Sequence, residues 1–443
     1  MKDIANTVNF EHSGKKITFH TLGCKLNFAE TSAIGKQLLA EGYVKARAGE
    51  EADICIINTC SVTDVADHKC RQAINRLHRQ HPDALMVITG CYAQLKPAEI
   101  AKIEGVDVVL GANEKFGLTE LLKKYEKQQS VLIKHSNIRE TETFRPSCSY
   151  DDRTRFFLKV QDGCDYFCTY CTIPMARGRS RNASVAQTLQ TAKQAIAEGA
   201  KEIVLSGVNT GDFGKSTGEN FFDLVKALDD SDAEIRFRVS SIEPNLLTDE
   251  LIEYVAASRH FMPHFHIPLQ SGSNEVLKLM KRRYDTALFS RKIEKIKNTI
   301  PDAFIGVDVI VGVRGEKAEL FEETTHFIKS LDISQLHVFT YSERMGTKML
   351  DVDFVVPPKE RKRRSDVLHT LSAEKTTRFY ERQTGKTRNV LWENRHKGGK
   401  MTGFTDNYIR VVQDFNKEQI NTIQAVVLGD WNEDGTALNV KVQ

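Results

Sequence analysis

Asp162-Gly163-Cys164-Asp165-Tyr166-Phe167-Cys168-Thr169-Tyr170-Cys171 carries three cysteines in the spacing Cys-x3-Cys-x2-Cys. The stretch directly follows an apolar strand candidate at 156–160, so the thiols fall on a loop at the strand's carboxyl end. Three thiolates can hold three irons of a [4Fe–4S] cluster and leave the fourth iron open to a non-protein ligand. A structural zinc site wants four closed ligands, and no His or Cys follows Cys171 at the required spacing.

Moving outward, strand and helix patterns alternate six times. Strand candidates lie at 156–160, 202–206, 235–240, 264–269, 304–309 and 335–340. Six units are too few for a closed eight-fold barrel, so residues 146–375 read as a partial (β/α)6 barrel with its site at the strands' carboxyl ends. Residues 1–145 also alternate short apolar runs (17–23, 53–58, 85–90, 106–111) with helical stretches, the pattern of a parallel α/β sheet. The stretch 128–155 is polar and reads as a connector. After residue 376 the period changes. Five short strand candidates at 388–393, 400–405, 408–412, 423–428 and 437–442 are separated by turn signals such as Gly398-Gly399 and Asp434-Gly435, which suggests a small all-β barrel over 376–443.

The first domain carries a second set of cysteines. Cys24, Cys60 and Cys91 are far apart in sequence, yet each ends an apolar strand. Loops at the carboxyl ends of parallel strands share one edge, so the three thiols converge there. Buried free cysteines are common and inert, which suits Cys55, Cys70 and Cys148 better than these three.

The bulk composition restricts the alternatives. The chain has 443 residues, 40% hydrophobic and 27% charged, with a formal net charge of +3, so any nucleic-acid surface must be a local patch. Nine cysteines are too few for a disulfide scaffold of this length. The first residues lack an apolar h-region and no stretch is apolar for a membrane span, so a soluble cytoplasmic protein is expected.

On the motif 162–171 the chain resembles the radical S-adenosylmethionine (SAM) superfamily. The resemblance implies that Tyr170 packs on the SAM adenine, that backbone at Gly207 meets its methionine moiety and that Glu243 contacts its ribose; a capping or surface carboxylate is the other reading of Glu243. With both cysteine triplets placed, nearly the whole chain resembles the methylthiotransferase family. The segments that carry this are Gly23-Cys24-Lys25-Leu26-Asn27 with Glu30, Asn58-Thr59-Cys60-Ser61-Val62-Thr63, Gly90-Cys91-Tyr92-Ala93-Gln94, and 403–411, which resembles a TRAM RNA-binding domain. Gly178-Arg179-Ser180-Arg181, His266-Ile267-Pro268-Leu269-Gln270-Ser271-Gly272-Ser273 and Lys281-Arg282-Arg283-Tyr284-Asp285 are most similar to the bacterial branch acting on N6-threonylcarbamoyladenosine. Val313-Arg314 and Met175-Ala176 depart from the family pattern, and neither includes a cluster ligand.

The resemblance implies two [4Fe–4S] clusters, one on Cys24, Cys60 and Cys91 and one on Cys164, Cys168 and Cys171. It further implies SAM as cofactor and methyl source, a tRNA substrate, an electron donor such as flavodoxin or ferredoxin, and no conventional acid–base residue. Carbon 2 of adenine bears an aromatic hydrogen of no useful acidity, which is the reason for a radical. For RNA, Arg388, Arg395 and Lys397 supply charge, and Phe404 and Tyr408 either stack on bases or belong to the barrel core. Arg177 and Arg179 either meet the RNA or form salt bridges. The rival readings are an isopentenyladenosine tRNA methylthiotransferase and a non-catalytic iron–sulfur RNA-binding sensor.

Overall fold

The computed structural model describes residues 14–125, 130–149 and 154–442; the amino-terminal residues without an h-region lie outside these. The chain divides into two compact units: one through Thr141 together with Thr172–Gly178, the other from Glu142 to Cys171 and from Arg179 onward.

The first unit is a six-stranded parallel sheet. In chain order its strands are β1 (Lys16–Thr21), β2 (Val44–Lys45), β3 (Ile54–Thr59), β4 (Leu85–Gly90), β5 (Val108–Leu110) and β6 (Leu132–Lys134), arranged β2-β1-β3-β4-β5-β6. β3 is buried at every position because helices cover both faces, which is why it reads as a continuous apolar run. The supposed connector at 128–155 is not purely a linker: it contributes β6, parallel to β5, and β7 (Ser147–Cys148), antiparallel to the next strand.

The second unit holds two sub-structures. β8 (Arg155–Lys159), β11 (Glu202–Ser206) and β12 (Arg236–Val239) are parallel neighbours, as are β13 (His264–Gln270), β14 (Phe304–Val311) and β15 (Gln335–Thr340). Between β8 and β11, a short antiparallel pair, β9 (Gln161–Asp162) and β10 (Arg181–Asn182), brackets the segment that carries Cys164, Cys168 and Cys171. Parallel bridges Phe237↔Phe261 and Ser241↔His266 join the two groups into one six-stranded partial barrel. Ile203, Leu205, Ile267, Val307, Val309 and Leu336 point into one apolar core beneath the surrounding helices. The opposite, inner face is left for polar residues.

The helix Pro358–Glu381 runs from this barrel into a closed five-stranded β-barrel: β16 (Thr387–Lys397), β17 (Lys400–Thr405), β18 (Arg410–Asp414), β19 (Ile423–Trp431) and β20 (Leu438–Val442), in the order β16-β17-β18-β20-β19. The boundary expected at 375/376 falls inside that helix. Its polar and apolar residues continue without a break, so the change of period marks the strands and not the end of the helix. Among the described residues no helix is long and apolar enough to cross a membrane.

Candidate functional site

In the second unit, Cys164, Cys168 and Cys171 lie on the loop after β9. Left-handed backbone at Gly163 (φ 70°) and Phe167 (φ 49°) turns the chain so that Cys171 N–H donates to Cys168 O at 3.0 Å. Lys159 Nζ (2.7 Å) and Arg181 Nη2 (3.0 Å) clamp buried Asp162 at the entrance to the loop. Thr169 Oγ1 donates to Leu279 O at 2.8 Å, and Met349 N–H donates to Thr169 O at 2.8 Å. Burial pushes the Cys164 thiol up to about 12. A thiol so hard to ionise in isolation becomes a thiolate when it binds metal.

Arg282 organises the loop's far side. It donates to Cys168 Sγ at 3.0 Å, to Tyr284 Oη at 3.1 Å, and to the Glu243 carboxylate. Glu243 is thus neither a surface nor a capping carboxylate: it is buried and tied through one guanidinium to a cysteine of the loop. Burial pushes its carboxyl up, against the opposing pull of Arg282. Lys281-Arg282-Arg283 stands out in the sequence as a basic run. Its tie to Cys168 spans 114 residues, and no local pattern reports it.

Tyr170 packs against the apolar group containing Met280, Val313 and Tyr341. At Gly207 a Cβ would lie 3.0 Å from Gln161 Oε1, which accepts from Val208 N–H at 2.9 Å and Asn209 N–H at 3.0 Å. The glycine therefore admits Gln161, whatever ligand the backbone meets. Four buried polar atoms nearby have no hydrogen-bond partner within the protein: Asn209 Nδ2, Ser240 Oγ, Gln270 Oε1 and Ser273 Oγ. Gln270 is the last residue of β13, and the other three sit just beyond the carboxyl ends of β11, β12 and β13. Unpaired buried polar atoms are costly, and a small polar ligand bound here satisfies them. An amide N–H, two hydroxyls and an accepting amide oxygen fit the carboxylate, amine and ribose hydroxyls of SAM.

In the first unit, Cys24 follows β1 at the start of the helix Lys25–Ala40, Cys60 follows β3, and Cys91 opens the short helix Cys91–Leu95 after β4. Gly23 (φ 101°) is required here: a Cβ would stand 2.7 Å from Cys60 Cβ. Burial raises the Cys60 thiol to about 12, with the charges of Cys91 and Cys24 adding to it, so the three sulfurs sense one another. Three thiols at the ends of β1, β3 and β4 offer a ligand set for three irons of a cluster, with the fourth left open.

Beneath these cysteines lies a buried ionic knot. Glu30 accepts from Lys115 Nζ at 2.5 Å and from Arg177 Nη1 at 3.1 Å, and Arg177 Nη2 donates to Asn27 Oδ1 at 2.5 Å. Arg177 is therefore not a contact for RNA. Its segment, Thr172–Gly178, folds with the first unit, and its charge is taken up by Glu30. Cys55 and Cys70 are core residues of this unit and Cys148 of the other, as expected.

Three further residues expected at RNA are engaged within the protein. Tyr408 sits against His264 and Phe304 of the partial barrel (ring centroids 4.6 and 5.4 Å), with its hydroxyl accepting from Arg155 at 3.3 Å. Phe404 stacks on Tyr408 (4.9 Å) under the Arg155 guanidinium (4.4 Å). Arg388 is bound to Asp302 at 2.6 Å and Asp406 at 3.4 Å. These three fasten the small barrel to the larger one, because docking surfaces bury aromatic rings and pair their charges. Arg179, Arg395 and Lys397 are exposed.

On the inner face of the partial barrel, His266 Nε2 and Asp308 Oδ1 are 2.7 Å apart and the His337 ring stands 5.1 Å from that of His266. The segment 266–273 marks His266 alone, since Asp308 and His337 come from two other strands.

Residues 16–111 match the family model described as uncharacterized protein family UPF0004, and residues 158–328 match the radical SAM superfamily. The chain is 38% identical to the threonylcarbamoyladenosine tRNA methylthiotransferase MtaB of Bacillus subtilis, with 93% of each chain covered. Identity to the MtaB of Aquifex aeolicus is 35%, over 93% of this chain and all of that one. The tRNA-2-methylthio-N(6)-dimethylallyladenosine synthase of Desulfitobacterium hafniense is 30% identical, with 94% and 96% covered. Among solved structures, the radical SAM methyltransferase TsrM of Kitasatospora setae superposes with a TM-score of 0.56 at 13% identity, covering 88% of this chain and 80% of that one; this likeness concerns the fold.

Proposed function

Because this chain belongs to the radical SAM tRNA methylthiotransferase family, we propose that it adds a methylthio group to carbon 2 of N6-threonylcarbamoyladenosine in tRNA. The observation that carries the substrate assignment is the 38% identity to an enzyme of that name over 93% of both chains. The two open cysteine triplets support the chemistry.

Cys164, Cys168 and Cys171 are the proposed ligands of the SAM-cleaving cluster, and Cys24, Cys60 and Cys91 those of the auxiliary one. When bound, the clusters and SAM supply radical generation and the methylthio group, which general-base chemistry cannot deliver to an aromatic carbon. The chain's own part is positional. Arg282 fixes Cys168 and Glu243 relative to one another, and Glu243 is the proposed ribose partner of SAM. Asn209, Ser240, Gln270 and Ser273 offer their unpaired polar atoms to the same ligand. Tyr170 and Gly207 remain proposed contacts of its adenine and methionine ends. Arg179, Arg395 and Lys397 are the proposed phosphate contacts. A one-electron donor of the flavodoxin or ferredoxin kind is the proposed reductant.

Anaerobically reconstituted protein, SAM and a reductant, given anticodon stem–loops bearing either N6-threonylcarbamoyladenosine or N6-isopentenyladenosine, test the reading by mass spectrometry of the digested nucleosides. A methylthio product on the first RNA is expected. Product on the second alone would overturn it.

A further inference from the structure

The inner face of the partial barrel carries a polar group that the cofactors do not account for. β13, β14 and β15 are parallel, with Asp308 opposite His337 and His266 opposite Gly306. Their neighbours Phe265, Ile267, Val307, Val309 and Leu336 point into the helix-covered core, so strict alternation turns His266, Asp308 and His337 the other way. The donor atoms of the three lie within 4.8 Å of one another. The His266 and Asp308 side chains keep 20% and 18% of their surface open, so the group is accessible. At Gly306 a Cβ would lie 3.3 Å from His337 Nε2, and the missing side chain leaves room for the imidazole.

The group's place in the barrel is fixed from above and below. His266 O accepts from Ile242 N–H at 3.1 Å, next to Glu243, whose partner Arg282 donates to Cys168 Sγ. One step down the same face, His264 and Phe304 are capped by Tyr408. The three residues therefore form a polar level between the loop of Cys168 and a floor of aromatic rings.

We propose that His266, Asp308 and His337 are the seat for the N6 substituent of the substrate base, and that His337 determines specificity for a polar substituent. This rests on the substrate reading above. A threonylcarbamoyl arm brings urea N–H donors, carbonyl and carboxylate acceptors and a hydroxyl, which two imidazoles and a carboxylate complement. A dimethylallyl arm brings only carbon and hydrogen and would strip water from three polar side chains without replacing it. Sites built to hydrogen-bond a substrate reject analogues lacking the polar group far more strongly than apolar pockets reject an added one.

The test uses reconstituted full-length protein and stem–loop RNAs carrying either substituent. His337→Phe should lower kcat/KM on the threonylcarbamoyl RNA by about tenfold to a hundredfold, mostly through KM, and narrow the preference over the isopentenyl RNA. His337→Gln, which keeps a donor and an acceptor, should retain most of the preference. An unchanged preference in His337→Phe overturns the proposal. Should that variant lose its iron or its cooperative melting, Asp308→Asn replaces it, and an unchanged preference there is equally fatal. A wild-type protein that methylthiolates only the isopentenyl RNA refutes the substrate reading instead. Two imidazoles and a carboxylate are also a recognised donor set for a divalent transition ion. Stoichiometric zinc in the wild type, with nitrogen and oxygen ligands by zinc-edge X-ray absorption and lost in His337→Phe, would overturn the seat in favour of a metal site.

Discussion

Arg177 Nη1 lies 3.1 Å from Glu30 Oε1, and both side chains are almost wholly sealed from water. With Lys115 on the other carboxylate oxygen, one buried anion is shared by two buried cations. Removing the anion takes the shared carboxylate from both cations, and breaking a buried pair in this way costs about 3–5 kcal/mol. Glu30→Gln should therefore destabilise the first unit more than Arg177→Met, which leaves the Glu30–Lys115 pair intact. Denaturant titration followed by loss of the auxiliary iron measures the order; equal losses would show that the knot is not electrostatically coupled.

Iron content tests the two triplets directly. Reconstituted wild type should hold about eight irons per chain, four for each cluster. Replacing Cys24, Cys60 and Cys91 by Ala should leave about half and keep SAM cleavage to 5′-deoxyadenosine, with no methylthio product. Replacing Cys164, Cys168 and Cys171 should abolish both. Full iron in the first triple variant would refute the auxiliary site.

Arg282→Lys keeps a charge but loses the fork that reaches Cys168, Tyr284 and Glu243 at once. The KM for SAM should rise by about tenfold, because Glu243 loses its orientation. Initial rates of 5′-deoxyadenosine formation against SAM concentration would detect this, and an unaltered KM would mean that Glu243 does not contact SAM.

Asp302 gives a pH signature. Burial pushes its carboxyl up, but hydrogen bonds from Lys386 and Gln383 and the charge of Arg388 outweigh that and hold it below the ordinary value. A carboxylate depressed on folding stabilises the fold above its unfolded pKa of about 3.9, and that contribution is lost as pH falls through the lower folded value. Asp302→Asn should cost on the order of 1 kcal/mol at neutral pH, the modest figure reflecting 37% exposure of the side chain. The gap from wild type should close below about pH 4 in melts run across pH. A gap that stays constant with pH would point to lost packing.

Reversing Arg395 and Lys397 to Glu should weaken tRNA binding and lower the slope of log affinity against log salt by about one for each phosphate left unneutralised. Reversing Arg388 should instead lower the melting temperature, because Asp302 and Asp406 hold it. Filter binding at several salt concentrations together with melts separates the two outcomes.

The strands that carry the cysteines are legible because each is an apolar run of normal length ending in a glycine or a polar residue. β2 and β6 are not: two and three residues give no periodicity to read. The cysteine triplets follow from topology, since parallel strands deliver their ends to one edge. The partners that shape them do not. Arg177 meets Glu30 across 147 residues of chain, and a positive residue beside a cluster loop looks the same whether it faces RNA or carboxylate. For Tyr408 the sequence leaves core and stacking roles open. Its left-handed backbone (φ 68°) after Asp406-Asn407 turns the ring out of its own barrel and into the neighbouring one.

That ring has a genetic consequence. Tyr408 is the stopper of the larger barrel, with Arg155 and Arg238 packed on its face and Arg238 also bonded to Asp406 O at 3.0 Å. A nonsense allele ending the chain after the long helix removes the stopper along with the small barrel and admits water to the chamber from beneath. Its phenotype should be that of a null for radical chemistry, not of a tRNA-recognition mutant. Surface missense alleles at Arg395 and Lys397, which leave both cofactor loops intact, are the ones that should dissect recognition from turnover.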